Sequence, residues 1–93
     1  MEHHPYISLN DETEITYSDI KSNAQGEKYV TIYFETPTIN GFSSMDINTD
    51  DDILRHVEGY SVSEMNEMLG HYKRIKNLCL EFATEDAKEL KDA

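Results

Sequence analysis

Asp46, Asn48 and Asp50 place oxygen donors on alternate residues, the spacing with which the opening of a D-x-[DN]-x-[DN] loop gathers carboxylates and an amide around calcium. The pattern does not continue. The sixth position is Asp51, where such a loop turns through glycine. The twelfth is Val57, where a bidentate glutamate closes the shell, and Glu58 falls one residue late. The stretch reads as a strand end running into an acidic helix N-terminus. Asp46, Asn48 and Asp50 are the metal candidates the chain offers, and a small metal-binding protein is the last of three functional readings.

His71 lies four residues after Glu67 and seven after Glu64, so all three share one flank of a helix. A metal or proton-relay site would need further ligands from a second element, and His3, His4 and His56 are the remaining nitrogen donors. Solvated polar flank is the reading for this group. Cys79, the single cysteine, sits among Leu78, Leu80 and Phe82 as a small buried hydrophobe. A thiolate nucleophile requires a neighbouring base that the sequence does not supply. No glycine-rich phosphate loop, G-x-S-x-G, H-E-x-x-H or C-x-x-C occurs. The chain is expected to be no enzyme and to carry no cofactor.

Charge narrows the partners. Eleven of the nineteen acidic residues but two of the eight basic ones fall in the first 52 positions, so that stretch carries −9 of the net −11. A field of that sign repels nucleic acid and anionic membrane and favours basic partners. The one basic cluster, Lys73, Arg74 and Lys76, lies on a helix flank and opposes this field too weakly for phosphate binding. No apolar run approaches the roughly 20 residues of a membrane span. The first five residues lack the basic start and apolar run of a signal peptide. A cytoplasmic protein, mobile over residues 1–5, is expected.

These residues must be positioned by one domain, since 93 residues suffice for one modest core. Residues 29–34 alternate, with Val30, Ile32 and Phe34 on one face and Tyr29, Thr31, Tyr33 and Glu35 on the other. Residues 14–19 precede them across a turn-forming 22–27. Pairing Ile15 with Phe34 and Tyr17 with Ile32 places four large apolar side chains together and fixes the register, at the mild cost of Lys21 facing Lys28. A two-residue Asn40-Gly41 loop would set Pro37 at a hydrogen-bonded position and Glu35 against Asp46. An irregular 36–41 connection to a third strand at 43–48 is therefore expected. A fourth, short strand is placed at 6–9.

Asp50, Asp51 and Asp52 before residues 53–59 suggest a short helix over 51–58, with carboxylates at its positive end and Gly59 after it. Ser61 and Glu64 form a capping box. From there apolar residues recur at 62, 65, 68, 69, 72, 75, 78, 79, 82, 83, 87 and 90, an amphipathic helix over 62–90 in which Lys76 must snorkel. That helix would be about 43 Å long, whereas a strand of six or seven residues covers about 20–23 Å. Three arrangements resolve the mismatch: a bend near Ala83-Thr84-Glu85, cover from the 51–58 helix and N-terminal segment, or a second copy forming a homodimer along the helix.

The fold expectation is an α+β domain. It has a three-stranded antiparallel β-meander over 13–48, four-stranded with the N-terminal segment, packed on a long C-terminal helix with a short helical turn before it. Strand-strand-strand-helix chains of this kind recur among small bacterial and phage proteins, and such a fold does not itself specify function. The first functional reading is a non-enzymatic interaction or self-associating module, with Tyr29, Tyr33, Asp50, Asp51, Asp52, Phe82 and Leu90 as contact candidates. The second is an acidic mimic of nucleic acid that occupies a basic groove through Asp11, Glu12, Glu14, Asp46, Asp50, Asp51 and Asp52.

Overall fold

A computed structural model of the chain describes residues 3–9 and 12–92. Among them, strands β1 (His3–Ser8), β2 (Glu14–Ser18), β5 (Thr31–Thr38), β6 (Gly41–Asn48) and β7 (Leu54–Glu58) form an antiparallel sheet in the order β1-β2-β5-β6-β7. A two-stranded ladder, β3 (Lys21–Ser22) with β4 (Lys28–Tyr29), extends the β2–β5 hairpin, and helix α1 (Val62–Asp92) covers one face. The protein is therefore α+β with an antiparallel sheet and a C-terminal helix.

The central register is the one the apolar pattern dictates: Ile15 opposes Phe34 and Tyr17 opposes Ile32. Ile32 and Phe34 continue onto Ile47 and Met45. These six side chains, with Val30, are buried against Met68, Tyr72, Cys79 and Ala83 of the helix. Toward the loop the hairpin slips by one residue, so Lys21 opposes Tyr29 and not Lys28. The slip occurs where side chains replace ladder bonds: the Thr31 N–H donates to Ser18 Oγ and the Val30 N–H to Thr49 Oγ1. It also removes the lysine pair, and the Lys21 ammonium lies 5.1 Å from the centre of the Tyr29 ring.

The connection after β5 corrects an expectation. It is a regular hairpin whose two-residue loop is Ile39-Asn40, flanked by the pair Thr38–Gly41. Gly41 takes φ +145°, which favours glycine. In this register Glu35 opposes Ser44 and Pro37 opposes Phe42. Pairs alternate in bonding outward from the loop, so Pro37 occupies a non-hydrogen-bonded position toward β6 and its missing N–H costs nothing there.

Residues 51–58 also depart from expectation, forming a turn and then β7 in place of a short helix. Asp51 Oδ1 accepts the Ile53 N–H at 2.9 Å, and the same carboxylate holds Arg55 through two hydrogen bonds, 3.0 and 2.6 Å. That local chemistry closes a turn where a helix N-terminus was expected. A helix of eight residues with little apolar surface is marginal, whereas Leu54 gains a partner in Ile47 on the open edge of β6. The first strand begins earlier than expected, with His3, His4 and Pro5 paired to Ser18, Tyr17 and Thr16 in place of a mobile terminus.

Both outer strands are irregular. β1 carries one extra residue, Tyr6, between the pairs Pro5–Thr16 and Ile7–Ile15. β7 fits His56 and Val57 between Arg55 and Glu58 where β6 has Met45 alone, and His56 takes φ +52°.

The capping box forms as expected: the Glu64 N–H donates to Ser61 Oγ at 3.2 Å and the Ser61 N–H to Glu64 Oε1 at 2.9 Å. The helix then crosses the sheet diagonally. Its middle reaches the β6–β7 turn through Tyr72 and Lys76, Phe82 stands beside Tyr6 of β1, and Tyr17 of β2 donates to Asp86 at 3.4 Å. Cover from the N-terminal segment thus answers much of the length mismatch. Burial follows a narrower stripe than the apolar arc, and Val62, Leu78 and Phe82 stay exposed. No helix among the described residues is long and apolar enough to cross a membrane.

Candidate functional site

The sheet face opposite the helix has no second layer among the described elements. Its residues follow from the two-residue strand period: where Ile15, Phe34 and Met45 point into the core, Glu14, Glu35 and Ser44 point away. Register aligns them into one row across five strands: Ser8, Glu14, Glu35, Ser44 and Glu58. Glu14 and Glu35 are direct cross-strand partners, an arrangement in which like charges destabilise a sheet. Among the described residues, no basic side chain comes within ion-pair distance of Glu12, Glu14, Glu35 or Glu58.

Beside this row the β5–β6 hairpin presents apolar surface. Pro37 and Phe42 oppose each other on the same outer face, Phe42 is 67% exposed, and Ile39 at the tip is fully exposed. Leu9, Glu12, Glu14, Glu35, Pro37 and Phe42 line a shallow concavity of about 520 Å³. A second depression of about 270 Å³ adjoins it through Ser8 and Glu14 and follows β1 and β2 past Thr16 and Pro5. Together they make an open groove with carboxylates along one side and an aromatic ring at the end.

The other acidic cluster is used differently. Asp52 accepts from Lys76 Nζ at 2.7 Å and from the Tyr72 hydroxyl, and these two bonds hold its carboxyl below the usual range. Burial, and then the Asp52 carboxylate, push the Tyr72 phenol well above its ordinary value. The Arg55 fork and the Ile53 N–H lower Asp51 to about 2. Asp46 Oδ1 lies 2.8 Å from His56 Nδ1, and Asn23 donates to Asp50 Oδ2 at 3.0 Å. These carboxylates fasten the β6–β7 turn to the helix and to the β3–β4 loop.

The calcium-type candidates therefore face separate partners: Asp46 meets His56, Asp50 meets Asn23, and Asn48 Oδ1 accepts the Thr31 hydroxyl at 2.7 Å. Among the described residues no three His, Cys, Asp or Glu side chains are grouped as a metal would require. His71 Nδ1 pairs with Arg74 at 2.8 Å. Cys79 is fully buried, and burial pushes its thiol up to about 11. The mimic candidates split: Glu12 and Glu14 lie at the hairpin-tip end of the sheet, Asp50, Asp51 and Asp52 at the opposite end, and Asp11 lies outside the described residues.

Of the contact candidates, Tyr33 lies on the open face between Thr16 and Asp46, and burial raises its phenol. Tyr29 lies under Lys21 on the side ladder. Phe82 is 40% exposed and borders Tyr6 at 6.1 Å between ring centres, whereas the side chain of Leu90 lies outside the described residues.

No family model, curated protein or solved structure matches this chain. The geometry is thus the whole basis for function. Sequence reasoning missed Glu35, Glu58, Ile39 and Phe42. The Ile15–Phe34 register already implies the Glu14–Glu35 pair, because neighbouring residues of paired strands face each other on the opposite side. Glu58 and Phe42 depend on β7 and on the Ile39-Asn40 loop, which local sequence did not indicate.

Proposed function

We propose that the protein is a non-enzymatic interaction module that docks a partner protein on its open sheet face. The observation that carries this reading is the uncompensated row of Glu14, Glu35 and Glu58 beside exposed Phe42 on a face without a covering layer. Unneutralised like charges and an exposed aromatic are costs to an isolated fold, and a partner of opposite charge relieves both. The same charges oppose the meeting of two copies through this face, so self-association would use the helix flank at Leu78 and Phe82. The nucleic-acid-mimic reading draws less support, since the carboxylates of Asp51 and Asp52 are already engaged by Arg55 and Lys76.

The test is a photo-crosslinking amino acid placed at Phe42, at Phe82 or at exposed Lys73 on the helix, in cells of the source organism. A discrete adduct from position 42, lost on Glu14→Lys/Glu35→Lys substitution and absent from position 73, supports the reading. Adducts from position 82 alone would move the docking surface to the helix. Sedimentation equilibrium identifies any adduct that is a second copy.

A further inference from the structure

We infer that the groove on the open face takes an arginine-bearing segment of its partner, with a guanidinium bridging Glu14 and Glu35. This rests on the docking reading above and adds the chemistry of the occupant. Three features converge on it. Glu14 and Glu35 are direct cross-strand partners, which puts their backbones roughly 5 Å apart. A planar guanidinium presents several N–H donors in a rigid fork and spans two such carboxylates, whereas an ammonium acts as a point charge. Pro37 and Phe42 line the same concavity as the two glutamates. They offer an apolar bed for the arginine stem and a ring face for the cation.

The row also sets a spacing. Glu58 stands two strands beyond Glu35, with Ser44 between them, or roughly 10 Å at the usual interstrand distance. Arginines three residues apart in a polyproline-type extended segment are about 9 Å apart and lie on one side. A partner carrying R-x-x-R thus reaches both the Glu14–Glu35 pair and Glu58. The groove is open along β1 and β2, so the segment need not be a free end.

The experiment is a titration of the isotope-labelled full chain, followed by amide NMR at physiological salt, with three capped peptides that differ in carrying R-x-x-R, K-x-x-K or Q-x-x-Q. The arginine peptide should give saturable shifts at residues 12–14, 35–37, 42, 44 and 58. The lysine peptide should bind several-fold more weakly and the glutamine peptide not at all. Glu14→Gln/Glu35→Gln should lose at least tenfold in affinity while keeping its thermal midpoint, and Asp51→Asn should bind as the parent does. Equal binding of lysine and arginine peptides, shifts spread over 46–52, or an unaffected double variant would overturn the proposal. A complete absence of binding would do so too, and an adduct from position 42 would then show a docking face with a different occupant.

Discussion

Lys76 and Asp52, 24 residues apart, meet at 2.7 Å and join the middle of the helix to the β6–β7 turn. Tyr72, one helical turn before Lys76, donates its hydroxyl to the same carboxylate. Asp52 holds φ +59°, a conformation that asparagine and aspartate tolerate better than other side chains. The lysine that falls within the apolar arc thus reaches out along the ring of Tyr72 to a fixed partner.

Stability should fall on acidification through this cluster. Asp52 and Asp51 have folded values below the unfolded carboxylate value, about 3.9. Their contribution is therefore complete above that pH and is lost as pH falls through the folded values. Asp52→Asn keeps the backbone conformation and should cost up to about 1 kcal/mol at neutral pH, discounted because the side chain is more than half exposed. Thermal unfolding from pH 5 to pH 2 should show a shallower loss for this variant than for the parent.

Glu35→Lys converts the Glu14–Glu35 repulsion into an opposite-charge pair. It should raise stability by roughly 0.2–1 kcal/mol, with a larger gain at low salt. Urea titrations at two ionic strengths read this directly. A gain in stability that accompanies loss of the Phe42 adduct would mean that the repulsion is tolerated for binding.

Gly59→Ala should be among the more damaging substitutions outside the core. Gly59 holds φ +82°, and an added Cβ would stand 2.5 Å from Ser43 Oγ and 3.2 Å from Ser43 Cα. Rotating the serine hydroxyl relieves the first contact but not the second. A loss of about 2 kcal/mol or more is expected, and adding Ser43→Gly should recover the steric part alone.

Cys79 should resist alkylation in the native state. Its thiol is fully buried and held protonated up to about 11, so the reactive thiolate is scarce and shielded. Labelling with an aromatic disulfide should accelerate steeply with urea and follow the unfolding transition. Rapid labelling in buffer would contradict this placement.

What was legible in the sequence was whatever a long periodic pattern carried. Ile15, Tyr17, Val30, Ile32 and Phe34 read as core from alternation, and all five are buried. Ser61 and Glu64 read as a capping box, and both bonds form. Segments whose fate depends on a distant neighbour were less legible. Residues 54–58 carry helix-like flanks, yet the open edge of β6 recruits them as a strand. Asn40-Gly41 is a strong local turn signal, but Glu35 and Pro37 are better placed when Ile39-Asn40 forms the loop. The candidate groove was harder still, because its glutamates come from strands far apart in sequence and meet through register alone.

The extra residue in each outer strand has a consequence for crowded solutions. An unbroken edge invites another chain to add its own strand, and repetition of that step builds fibres. Here Pro5 and the Tyr6 bulge interrupt one border, and the left-handed His56 interrupts the other. Lateral polymerisation is blocked at both borders, so the protein can leave a broad sheet face bare and still remain a discrete particle.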